Sequence, residues 1–127
     1  MPFDWKSGEL AEGLRCYQAG EFFLAHEHWE SVWTGLEGRE RGFLQALIQV
    51  TVALHHWQTG NPRGCRSLLQ RAMGRLESCP AIFGGIAIAP LRDQLGAWLG
   101  SPEHEAGTNP AEIPEIRPVD LPTRMEI

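Results

Sequence analysis

Between Gly42 and Thr59 the chain reads GFLQALIQVTVALHHWQT, 18 residues with no formal charge apart from two histidines. The amides and histidines keep it from being the uncharged apolar run of about 18 residues that a membrane span needs. Its apolar residues recur at helical spacing. Phe43, Ala46, Leu47, Val50, Leu54 and Trp57 share one side, and Gln45, Gln49, Val52 and His56 share the other. A helix built this way is expected at the centre of a bundle, covered on both sides, with amides that need partners inside the protein.

The rest of the chain supplies the covering helices. Periodicity predicts a first helix over residues 7–19, a second over 21–34 and the central one over 40–59. A fourth is predicted over 62–78, opened by Asn61 as cap and Pro62 in the first turn. CPAIFGGIAIAP reads as an apolar linker rich in glycine and proline, and a short fifth helix is expected over 90–99. No long segment alternates with period two. Positions 40 residues apart echo one another: Gly20 and Gly60, Ala25 and Cys65, Trp29 and Leu69, Val32 and Ala72, Leu36 and Leu76. Each half is then a helix, a glycine turn and a second helix, a spacing like that of the second helix of tetratricopeptide repeats. Two copies are too few for a solenoid. The expected fold is all-α, a compact bundle of about five helices built from antiparallel pairs.

Residues 1–100 are expected to form this helical domain. Residues 101–127 differ: they hold Pro102, Pro110, Pro114, Pro118 and Pro122, with six acids against two arginines. Ile113, Ile116 and Val119 recur every third residue, which suits an extended strap on the body or on a neighbouring subunit; the alternative is a disordered tail.

The chain has 127 residues and a formal net charge of −5, which argues against a general nucleic-acid binder. Cys16, Cys65 and Cys79 form no CxxC pair and no zinc spacing, so reduced thiols and a cytoplasmic location are expected. MPFDWKSGEL has no apolar run after a basic start, so a signal peptide is not expected.

The chemistry concentrates in GEFFLAHEHWESVW, residues 20–33. On a helix, Phe22, Phe23, His26, Trp29, Glu30 and Trp33 fall in one arc, with His26 and Glu30 at its centre. Glu27 sits on the flank, and His28 is expected to face solvent. A carboxylate among aromatics needs a partner or a proton. If the arc meets the glutamine stripe of the third helix, one polar layer gathers His26, Glu30, Gln45, Gln49 and His56, with Glu27 at its edge.

Three readings compete for that layer. It is a closed hydrogen-bond network that orders the bundle. Or His26, Glu30, His56 and Glu27 hold a metal between helices, although H-E-x-x-E lacks the second histidine of the zinc-protease motif. Or the layer lines a pocket for a small polar ligand or for acid/base chemistry. No third strong ligand at fixed spacing, no Ser/His/Asp order and no phosphate loop favours an enzyme. Neither a catalytic residue nor a metal or other cofactor is assigned.

GEFFLAHEHWESVW, then FLQALIQVTVALHHWQTGNPRG with LLQRAMGRL behind it, resembles the DUF309 family, small all-helical proteins of unassigned role. The family pattern falls on Gly20, Phe22, Phe23, Ala25, His26, Glu27, Glu30 and Trp33. In the third helix it falls on Phe43, Gln45, Leu47, Ile48, Gln49 and His56, with Ala46 where glycine is usual. The match runs over about residues 14–76. The resemblance implies a helical fold and self-association, and it supplies no substrate.

Arg63, Arg66, Arg71 and Arg75 are expected on the outer face of the fourth helix, and Cys65 in its core stripe as an inert thiol. Trp29, Trp33 and Trp57 read as core; Trp5 and Trp98 read as interface anchors. The functional expectation is a non-catalytic helical binding or assembly module, probed through its polar layer. It is expected to be homodimeric, without nucleic-acid or membrane partners, and able to take a small polar ligand. The alternative is a metal-dependent or acid/base, hydrolase-like enzyme using the same groups.

Overall fold

A computed structural model describes residues 3–100 and 113–119. Five helices carry the described chain: α1 (Gly8–Gln18), α2 (Phe22–Trp33), α3 (Gly38–Gln58), α4 (Pro62–Leu76) and α5 (Ile88–Gly100). Each packs chiefly on the next in sequence, and α3 lies between α2 and α4. This is the all-α bundle that the periodicity predicts.

The 40-residue echo is a backbone fact. At the end of α1, Glu21 N–H donates to Cys16 O at 2.8 Å and Gly20 N–H to Tyr17 O at 3.0 Å. At the end of α3, Asn61 N–H donates to His56 O at 2.8 Å and Gly60 N–H to Trp57 O at 3.3 Å. Both are Schellman closures, and both glycines sit at positive φ, +82° and +86°. The two helical hairpins, α1–α2 and α3–α4, are therefore turned by the same device. Asn61 then caps α4, accepting from Gly64 N–H at 3.0 Å, with Pro62 behind it.

The apolar linker is a correction. It contains a two-stranded antiparallel hairpin, β1 (Ile82–Phe83) and β2 (Ile86–Ala87), pairing Ile82 with Ala87 and Phe83 with Ile86. Gly84 and Gly85, both at positive φ, make its two-residue turn. A Cβ on Gly84 would meet Phe43 Cε2 at 2.5 Å, so the turn lies against the start of α3.

Residues 113–119 are extended and lie on the body of their own chain. Ile86 bridges to Pro118, Ala87 N–H donates to Arg117 O at 3.0 Å, and Val119 N–H to Gly85 O at 2.8 Å. Ile116 is buried, and the Tyr17 hydroxyl donates to Pro114 O. Residues 101–112 and 120–127, including the acids at 103, 105 and 112, lie outside the described residues.

Trp5 and Trp98 are core rather than interface anchors, at 8% and 2% exposure. Trp5 packs edge-on against Trp29 and donates through Nε1 to Gly84 O at 2.7 Å. Trp98 packs edge-on against Trp57. Among the described residues no helix is long and apolar enough to cross a membrane.

Candidate functional site

The buried side of α2 is Phe22, Ala25 and Trp29, spaced three and four residues apart. The expected arc is therefore turned: Phe23 is 49% exposed and Glu30 is exposed, while Ala25 is sealed. The cause is size. Alanine lets α2 approach its neighbours, and α1 opposes Trp29 with Gly13, where a Cβ would collide with the indole. Trp29 Nε1 closes the contact by donating to Leu10 O at 3.1 Å.

His26, Glu30 and Phe23 thus stand on a flank of α2, beside α3. His26 Nδ1 lies 3.1 Å from Phe23 O, and Nε2 lies 3.7 Å from Glu30 Oε2. The His26 side chain is 19% exposed and the Glu30 side chain 55%. Glu27 is exposed as well. Neither carboxylate is desolvated, so neither needs a buried partner.

The glutamine stripe of α3 is turned in the same sense. The buried residues of α3 run along the opposite side, from Phe43 to Leu54, and Gln45, Gln49, Val52 and His56 are only half-buried. Where α2 touches α3, the contacts use the stripe's flank. Arg41 lies 3.8 Å from the Trp33 ring centre, and His55 lies 5.3 Å from Phe23. Gln58 Nε2 donates to Gly20 O at 2.9 Å at the far end. These contacts set α2 and α3 antiparallel, with His26 and Glu30 opposite the stretch that carries Gln45 and Gln49.

The expected layer is therefore an outer face of the α2–α3 hairpin, not an interior network. No hydrogen bond joins Glu30 to Gln45 or Gln49. Gln49 Oε1 is sealed from solvent and accepts nothing. His56 turns to the α3–α4 corner, with Nδ1 3.3 Å from Asn61 Nδ2. Among the described residues no three His, Cys, Asp or Glu side chains converge closely enough to hold a metal ion.

Sequence reasoning passed over several members of this face. Leu24 is 45% exposed beside Phe23. His55, rather than His56, packs against Phe23, which in turn packs against His26 at 5.1 Å. His28 does not face open solvent: its Nδ1 lies 2.5 Å from Glu9 Oε1 of α1. The Arg41–Trp33 stack had a legible signal, since a cation at the start of one helix follows a tryptophan at the end of the previous one.

The arginines of α4 are exposed as expected, and Cys65 is buried, its thiol pushed up to about 11 by desolvation. Burial also raises Cys16 and Cys79. All three thiols are free.

An uncharacterised protein of Aquifex aeolicus (strain VF5) is 32% identical to this chain over 95 residues. That alignment covers 74% of this chain and 28% of the relative, so the chain spans well under half of the protein it matches. The model of DUF309, a domain of unknown function, matches residues 10–68. That range begins earlier than the expected match and stops inside α4, and it holds His26, Glu27, Glu30, Gln45, Gln49 and His56. Over residues 10–68, from the first turn of α1 to the middle of α4, the chain is similar to the DUF309 family.

Proposed function

We propose that the chain is a non-catalytic helical binding and assembly module, cytoplasmic and homodimeric, that docks through the outer face of α2–α3. One observation carries the reading. Phe23 and Leu24, adjacent on α2, are each nearly half exposed; among the described residues the other exposed large hydrophobics, Ile82 and Ile113, lie outside the helices. An apolar centre with a rim of His26, Glu27, Glu30, Gln45 and Gln49 has the make-up of a protein–protein interface. The face also carries imidazoles and carboxylates together, so a two-fold copy offers each a partner of opposite character. Three free cysteines are in keeping with a reducing compartment.

Sedimentation velocity of the wild type and of Phe23→Asp tests the assembly reading. The wild type is expected to be a dimer at tens of micromolar and the variant a monomer with unchanged helical circular dichroism. A monomeric wild type, or a variant that still dimerises, removes the self-association reading.

A further inference from the structure

We infer that the cleft between the first turns of α4 and the last turn of α5 binds a small aliphatic carboxylate. The site lies outside the α2–α3 face and does not depend on the function proposed for it.

The cleft has a volume of about 210 Å³. Its floor is apolar and buried: Cys65, Leu69 and Trp98 are 3%, 1% and 2% exposed. Its rim carries two cations, Arg63 and Arg66, both exposed. Arg66 donates through one amino group to Leu99 O at 2.6 Å, which holds its guanidinium at the end of α5. Its remaining N–H groups stay available. Neither Arg63 nor Arg66 has a carboxylate partner among the described residues. In a chain of net charge −5, two arginines without a carboxylate over an apolar floor are a local reversal of sign.

The chemistry of the occupant follows. A guanidinium fork takes a carboxylate on two parallel N–H donors. Leu69 and Trp98 give an alkyl tail an apolar bed. Cys65 adds neither charge nor nucleophile at neutral pH, because its thiol is pushed up to about 11. The volume equals about seven waters at roughly 30 Å³ each, room for a tail of about six to eight carbons with its head at the rim.

The test is a ¹⁵N NMR titration of the full chain with sodium octanoate, sodium hexanoate, octan-1-ol and sodium acetate. Octanoate is expected to shift the amides of Cys65 and Leu69 and the Trp98 indole N–H saturably. Each methylene removed should weaken binding about fourfold. Arg63→Gln, an exposed change checked by circular dichroism, should weaken octanoate about tenfold and leave octanol unchanged. Octanol binding as tightly as octanoate overturns the carboxylate assignment. So does an Arg63→Gln variant that binds octanoate like the wild type. Absence of saturable shifts at these residues up to millimolar octanoate overturns the site itself.

Discussion

Gly13 of α1 lies directly against the indole of Trp29 of α2. A Cβ built on Gly13 falls well inside 3.0 Å of Nε1, and Trp29 is fully buried. The indole cannot retreat, because its N–H donates to Leu10 O one turn earlier on α1. This contact sets how closely the first helical hairpin closes.

Gly13→Ala should therefore destabilise the protein. Alanine favours a helix interior over glycine by about 1 kcal/mol. Forcing a methyl into a packed indole costs about 1–3 kcal/mol, and the fixed hydrogen bond puts this site at the upper end. A net loss of about 2 kcal/mol is expected, read as a lower urea midpoint at unchanged m-value. A variant as stable as the wild type would show that α1 and α2 are not packed as described.

The helices were legible because each has an unambiguous end. Gly20, Gly60 and Asn61–Pro62 punctuate the chain where backbone geometry requires it. The side that α2 buries was not legible by hydrophobicity alone. Phe23 is far more hydrophobic than Ala25, yet Ala25 is sealed because a small side chain permits close helix approach. The same error turned the glutamine stripe inward and made an outer face look like an interior network. The hairpin was legible and missed: Gly84–Gly85 between Ile-Phe and Ile-Ala is a two-residue turn signal, masked by the strands being two residues each. Only the contact partners of Trp5 and Trp98, Gly84 and Trp57 among them, reveal that they are core.

Tyr17 makes stability pH-dependent at the alkaline end. It is the chain's single tyrosine, buried, with its hydroxyl donated to Pro114 O. Desolvation raises its phenol far above the ordinary value of 10.0. The folded value exceeds the unfolded one, so the stabilisation is complete below about pH 10 and is lost as pH rises further, at about 1.4 kcal/mol per pH unit. Cys65, raised from 9.0 to about 11, adds a similar loss across that interval. Phenolate absorbance should appear together with loss of helical circular dichroism. A phenol that titrates near pH 10 in a still-helical protein would contradict the burial. Tyr17→Phe should flatten the alkaline decline and cost about 1–2 kcal/mol at neutral pH, since the Pro114 carbonyl loses its donor.

Ile116 fixes residues 113–119 on the body, and its burial predicts what holds them. Ile116→Asp places a charge in a sealed site and should release the segment rather than unfold the bundle, because the helices pack without it. Hydrogen exchange at the amides of Val119 and Ala87, which donate to Gly85 O and Arg117 O, should accelerate toward unprotected rates. Amides within α3 should keep their protection. Equal acceleration in α3 would mean that the segment is part of the cooperative core.

The His26–Glu30 pair separates an outer face from an interior network by stability alone. The Glu30 carboxylate is more than half exposed, 3.7 Å from His26 Nε2, with no tie to either glutamine. Exposed pairs of this kind contribute about 0–1 kcal/mol. Glu30→Gln at pH 7 should therefore move the urea midpoint by the equivalent of less than about 0.5 kcal/mol. Gln49→Met tells the same story from the other helix. It removes a sealed acceptor that has no donor and keeps the volume, so it should be neutral or stabilising. In a closed network both changes would strand buried partners and cost about 1–3 kcal/mol each. A loss of that size at both positions would restore the interior layer and displace the docking face from α2–α3.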